Sequence, residues 1–259
     1  MNPDDPFDRL RAAGFDLAAR NHAEAILRAD FAPALNGLAD ALLAVSIPPE
    51  ELIRGGGGEA RSTQRLRRAL AGAGWPKHVF TIRKFIDDRE RESTSHEIDH
   101  VWRGPAGVIA LEIEWNNKDP FFDRDLENFQ RLHAEGAISV GVIVTRGLSM
   151  QAALYDILRA AAQENGLTGW HDMDAFDLNP TRAQRAEVER RIGAGATFAE
   201  AWARMFTASK FGAATTHWAK LEERLRRGVG APCPLLLLGL PAAAVGGAPV
   251  AADDQPGLW

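Results

Sequence analysis

Two glutamates one residue apart inside an apolar run constrain this chain more than any other feature. In Val108-Ile-Ala-Leu-Glu-Ile-Glu-Trp115, the residues Ile109, Leu111, Ile113 and Trp115 occupy alternate positions. Period-two alternation marks a strand with one apolar face, and it sends Ala110, Glu112 and Glu114 to the opposite face. Upstream, Glu97-Ile-Asp-His-Val-Trp102 alternates in the same way, and the intervening Arg103-Gly-Pro-Ala-Gly-Val108 has turn composition. A four-residue loop from Gly104 to Gly107 makes the pairing symmetric about Pro105–Ala106. Asp99 then falls opposite Glu112, and Glu97 opposite Glu114. Directly paired residues have Cβ atoms about 4.5–5.5 Å apart, close enough for two carboxylates to share one cation.

Like charges set opposite each other weaken a sheet. In this register no basic residue shares the face, so either a divalent cation or a proton must hold the patch together. The alternative is a set of solvated acids on the outer face of a hairpin. Hard oxygen donors of this kind favour magnesium.

A second motif overlaps the first. His96-Glu-Ile-Asp-His100 matches H-E-x-x-H, in which two histidines one helical turn apart bind zinc and the glutamate activates water. That chemistry needs a helix. Here Gly104-Pro105 would stop one within a turn, the strand alternation runs through the match, and on a strand both histidines point away from Glu97. A zinc metallohydrolase is therefore the lesser alternative.

After the strand, Trp115-Asn-Asn-Lys-Asp-Pro-Phe-Phe-Asp-Arg-Asp125 leads into an amphipathic helix carrying Leu126, Phe129 and Leu132, with Asp123 or Asp125 as its N-cap. Ile138 to Thr145 reads as a buried strand ending at Arg146-Gly147. Hairpin, helix and strand in that order resemble the core of metal-dependent nucleases.

On Ile98-Asp99-His100 and Glu112-Ile-Glu114-Trp-Asn-Asn-Lys-Asp-Pro-Phe-Phe-Asp-Arg-Asp125, the chain resembles the PD-(D/E)xK nuclease superfamily, in the variant where a second acid replaces the lysine. More narrowly it resembles the type II restriction endonucleases of the BglII kind, and more distantly BamHI. Ser209-Lys-Phe-Gly-Ala-Ala-Thr-Thr-His-Trp-Ala-Lys-Leu221 and Gly55-Gly-Gly-Gly-Glu59 are similar too, so the likeness touches most of residues 45–225. The resemblance implies an α/β fold with a restriction-endonuclease-like core, a central mixed sheet flanked by helices. It implies that Asp99 and Glu112 ligate Mg2+ together with the Ile113 carbonyl, and that Glu114 orients or deprotonates the attacking water. Glu59 is either an auxiliary acid near the metal or a residue favouring its own helix N-terminus. Displacement would be in-line and leave 5′-phosphates. The substrate implied is double-stranded DNA, read at a palindromic site with a GATC core by a homodimer that leaves four-base 5′ overhangs.

Side chains suited to reading base edges are Asn or Gln for adenine and Arg or Lys for guanine. Loops flanking the sheet supply Asn116, Asn117, Lys118, Arg146, Lys210, Thr215, Thr216 and His217, with Asn117 and the Thr215-Thr216-His217 stretch foremost. A DNA repair-type or non-specific nuclease of the same fold is the remaining alternative.

The formal charge of −5 runs against a nucleic-acid partner, because non-specific affinity comes from neutralised phosphates. Its distribution does not. Arg61, Arg65, Arg67, Arg68, Lys77, Arg83 and Lys84 follow one another with no acid between them. Arg204, Lys210, Lys220, Arg224, Arg226 and Arg227 form a second basic region, diluted by Glu222 and Glu223. A single cysteine, Cys233, excludes a disulfide framework and suits a reducing cytoplasm. Neither a signal peptide nor a membrane-spanning apolar run is visible.

The chain divides into an N-terminal helical segment (1–54), a nuclease core with recognition elements (55–228), and a short strand with a loose tail (229–259). Residues 6–45 read as two or three amphipathic helices, 59–71 as a basic helix, and 79–85 as a first strand. Helices follow near 150–163, 182–192 and 198–206. Trp202, Phe206, Phe211 and Trp218 read as packing residues.

Overall fold

In the computed structural model of the chain, which describes residues 2–55 and 60–246, the acid-bearing run is a strand and lies inside a sheet. In chain order the elements are α1 (Pro6–Ala12), β1 (Asp16–Arg20), α2 (Ala23–Asp30), α3 (Ala32–Leu43), α4 (Pro49–Ile53), α5 (Arg61–Gly72), β2 (His78–Ile86) and β3 (Arg89–Ile98). Then come β4 (His100–Gly104), β5 (Gly107–Glu114), α6 (Phe121–Ala134), β6 (Val140–Arg146), α7 (Leu148–Glu164), α8 (Arg182–Gly193), α9 (Phe198–Lys210), α10 (Trp218–Arg226) and β7 (Leu235–Leu240).

Five strands form the main sheet in the order β1-β7-β6-β5-β4, and β2 and β3 form a separate two-stranded ribbon. The β5–β6 and β6–β7 pairs are parallel, while β4–β5 and β1–β7 are antiparallel. Both central strands are buried along their whole length. That fits their near-continuous apolar sequences, since strands covered on both faces need not alternate. Gly141 in β6 is required by packing, for a Cβ there would lie 2.5 Å from the Phe129 ring of α6.

The alternation of β5 sorts its side chains between two cores. Ile109, Leu111 and Ile113 join the larger core, built with helices α3, α5, α7 and α9. On the other face Ala110 packs with Phe122, Leu126, Phe129 and Leu132 of α6 and with Trp218 and Leu221 of α10. Glu112 and Glu114 therefore point toward α6. Helices α8 and α9 begin with Thr-x-x-Gln and Thr-x-x-Glu capping boxes at Thr181–Gln184 and Thr197–Glu200, which satisfy backbone donors locally.

Several expectations need correction. The N-terminal region is not all helix: Asp16–Arg20 is a strand, pairing with β7 at the edge of the sheet. Val79–Phe85 is a strand as read, but it belongs to the ribbon. Leu235–Leu240 is an interior strand between β6 and β1. Of the glycine run only Gly55 is described; residues 56–59, Glu59 among them, and the tail from residue 247 onward lie outside the described residues. Trp202, Phe206, Phe211 and Trp218 are buried packing residues as read. No helix among the described residues is long and apolar enough to cross a membrane.

Candidate active site

The hairpin closes in the register read from its two glycines, with Gly104 opposite Gly107 and His100 opposite Leu111. One step further puts Asp99 opposite Glu112, and the Asp99 N–H donates to Glu112 Oε2 at 3.4 Å. The register stops there. At Asp99 the chain bends, and Ile98 pairs with His78 of β2 instead of continuing along β5. Glu97 consequently faces Val79 on the ribbon, is exposed, and is ion-paired with Lys77 at 2.6 Å. It does not belong to the acid patch.

Its place is taken by Asp125 of α6, which is fully buried. Phe122, Asp125, Leu126, Phe129 and Leu132 make the buried stripe of that helix. An acid at a stripe position otherwise held by apolar residues was the available signal, hidden by reading Asp125 as a cap. The helix instead follows Pro120, and neither aspartate caps it.

Glu112, Glu114 and Asp125 are 5%, 2% and 0% exposed, so three carboxyls share one dry space. Contrary to the sequence reading, cations do attend them. Arg124 donates through Nε to Asp125 Oδ1 at 2.8 Å and places Nη2 3.6 Å from Glu114 Oε1. Its guanidinium also lies over the Phe121 ring at 4.4 Å. Asn117 Nδ2 donates to Glu114 Oε2 at 2.7 Å. At the rim, Arg67 Nη2 donates to Asp99 Oδ1 at 2.7 Å.

One half-exposed guanidinium does not offset three buried acids. Burial pushes the Glu112 carboxyl far above the ordinary range, and repulsion from Asp125 and Asp99 adds to it. Burial likewise raises Glu114, next through its hydrogen bond with Asp125. Asp125 is raised by burial too, against the opposing pull of Glu114 and Arg124. Asp125 Oδ2 is buried without a hydrogen-bond partner. Among the described residues no three His, Cys, Asp or Glu side chains stand in metal-holding geometry, and Asp99 is turned to Arg67. The donor set itself, all oxygen and short of positive charge, suits a hard divalent cation.

His96 and His100 lie on β3 and β4, not on a helix; His100 is buried with Nδ1 2.9 Å from the Trp75 carbonyl oxygen. The helical geometry that the zinc motif requires is missing.

The proposed recognition residues separate into three groups. Asn117 and Lys118 are exposed at the end of β5, and Asn116 is half-buried beside them. This loop is stitched to the 212–217 loop: Thr216 N–H donates to the Asn117 carbonyl at 2.9 Å, Asn117 N–H donates to Thr216 Oγ1 at 3.1 Å, and Lys118 bridges Thr215. Arg146 and Thr216 are wholly buried. The Arg146 guanidinium holds the loop from inside, donating to the Thr216 carbonyl at 2.7 Å and to Thr215 Oγ1 at 2.6 Å; burial lowers its pKa to about 9. Lys210 donates to the Leu52 and Arg54 carbonyls at 3.3 and 2.6 Å, and burial lowers its pKa to about 8. His217 is half-buried, immediately before α10.

A cleft of about 780 Å³ opens beside this region, walled by Arg61, Thr63 and Arg67 of α5, by Arg54, and by Trp115 and Asn117. Of the four acids only Asp99 lines it. The second basic region is differently disposed, since Arg224 is buried between Asp119 and Asp123 at 3.1 and 3.2 Å.

A family model described as Restriction endonuclease BglII/BglIII matches residues 15–240 of the chain. No curated protein matches it.

Proposed function

The chain belongs to the BglII/BglIII restriction endonuclease family and is thereby a type II site-specific deoxyribonuclease, and from that premise we propose that Asp99, Glu112 and the Ile113 carbonyl hold Mg2+ at its cutting centre. The observation that carries this reading is the charge deficit of Glu112, Glu114 and Asp125, buried together beneath α6. A magnesium ion there supplies neutralising charge at the scissile phosphate and makes water easier to deprotonate. Glu114, fixed by Asn117, aligns the attacking water or accepts its proton. Asn117 has a second duty, because its backbone is paired with Thr216 of the neighbouring loop. One residue thus joins that loop to a carboxylate at the centre.

The products are 5′-phosphates and 3′-hydroxyls, the target is a palindrome with a GATC core, and a homodimer makes both cuts. Lys118, exposed at the mouth of the site, reads base edges with Asn116 and His217 beside it, while Asn117 of the same loop keeps its amide on Glu114. Arg146, Thr215, Thr216 and Lys210 shape the loops from within. Glu59 serves either as an auxiliary acid or to favour its helix.

Digestion of plasmid by purified protein, with magnesium and then with EDTA, tests the reading. Discrete fragments that require magnesium are expected, and sequencing their ends yields target, cut position and stagger together. Undiminished cutting in EDTA would refute the metal assignment, and fragment ends outside a palindrome would refute the dimeric one.

A further inference from the structure

Asp99 is the one acid of the set that faces the cleft, and a cation of the protein's own already holds it. Arg67 Nη2 donates to Asp99 Oδ1 at 2.7 Å, and both side chains are 30% exposed. Three other basic groups near the cleft have partners elsewhere. Arg65 is forked onto Glu51 at 2.7 and 3.1 Å, Arg54 pairs with Asp177 at 3.5 Å, and Lys210 is bonded to two carbonyls. Arg67 stands one turn after Thr63 on the cleft side of α5, a helix fastened by Leu66 and Leu70. A guanidinium fork fits a carboxylate and a phosphate equally well. A phosphodiester entering the cleft therefore offers Arg67 an equivalent partner, and a divalent cation offers Asp99 one.

Building on the cation site proposed above, we propose that Arg67 is a phosphate-binding residue of the cleavage reaction that exchanges partners. Without DNA it occupies Asp99; with DNA it turns to the phosphate at the cut and leaves Asp99 to the cation. DNA and cation then bind cooperatively by linkage, each tightening the other by the same factor.

Calorimetric titration with calcium ion, with and without a duplex carrying the cut site, tests the exchange. In the unaltered protein the duplex tightens calcium binding by roughly tenfold, inside the usual range of coupling. Arg67→Met binds calcium more tightly than the unaltered protein when DNA is absent, and its coupling falls toward one. Its single-turnover cleavage with magnesium drops by about 10²-fold, the scale of losing one preorganised charge. Arg67→Lys recovers part of that rate. Calcium affinity in Arg67→Met that is unchanged or weaker without DNA overturns the exchange. If Arg67→Met does not fold, Arg67→Gln carries the same comparison. Glu112→Gln separates the two proposals. Calcium binding lost in Glu112→Gln, with no gain in Arg67→Met, sinks the exchange alone. Calcium binding retained in Glu112→Gln sinks the cation site itself.

Discussion

Asp123 and Asp125 stand two positions apart on α6 and end in opposite surroundings. Asp123 faces α10, where Arg224 Nε lies 3.2 Å away and Arg227 3.8 Å, with Asp119 and Lys220 completing an alternating cluster of both signs. Asp125 faces β5, where its nearest neighbours include two more acids and where one of its own oxygens has no partner. The first cluster is a satisfied ion network that fastens α10 to α6. The second costs stability, and a fold retains such a cost where a ligand or reaction offsets it. Helical phase alone separates them: one faces α10, the other falls on the apolar stripe.

The largest effect expected is at the unsatisfied cluster. Asp99→Asn or Glu112→Gln should lower cleavage by at least about 10³-fold while DNA binding stays measurable by gel shift, as for loss of a central electrostatic group. Retained cutting in either variant would remove the assigned site. Asp125→Asn is the sharpest test of the comparison. Cation affinity should fall about 10- to 100-fold, as when a group supporting metal ligands is removed, yet the EDTA-treated protein should melt at a higher temperature. A lower melting temperature would mean Asp125 is as well satisfied as Asp123.

Arg224→Met should do the reverse. It leaves Asp119 and Asp123 without their buried partner and costs about 2–3 kcal/mol in urea unfolding, the scale of hydrogen bonds to charged groups. The rate per folded molecule should not change. A smaller signature lies in pH. Folded Glu112 and Glu114 keep protons that the unfolded chain releases above the ordinary carboxylate range. Their contribution to stability in EDTA is therefore fully present below the ordinary carboxylate range and is lost as pH rises toward about 9, where Glu114 lets go. Melting curves from pH 5 to 9 should show that decline, and saturating magnesium should flatten it. Smallest of all, Glu97→Ala removes only an exposed pair with Lys77 and should alter stability by less than about 0.5 kcal/mol, with cleavage unchanged.

The hairpin was legible because two glycines and a strict alternation left one register, and that register brought Asp99 to Glu112. The same rule misled at Glu97, since nothing in Glu97-Ile-Asp-His100 announces that the strand leaves the sheet at Asp99. The bend follows from long-range contacts: Val101 N–H donates to the Pro76 carbonyl at 2.8 Å, and His100 reaches Trp75. Asp16–Arg20 escaped notice because a short run containing two alanines carries little strand preference; its pairing with β7 decides it. Arg67 and Arg124 were invisible as partners of Asp99 and Glu114, for each comes from another element. Arg146 was read as a base-reading loop residue by its position after a strand, yet it is buried, bonded to the 212–217 loop.

β1 and β7 are neighbours in space, and Asp16 pairs with Gly239 across nearly the whole polypeptide. During translation the first strand emerges early and has nothing to bind until the last one is made. At about 5–20 residues per second that wait lasts on the order of tens of seconds. Until then β6 lacks the neighbour that covers one of its edges. The sheet that carries Glu112 and Glu114 is thus complete only once residues 235–240 have been made.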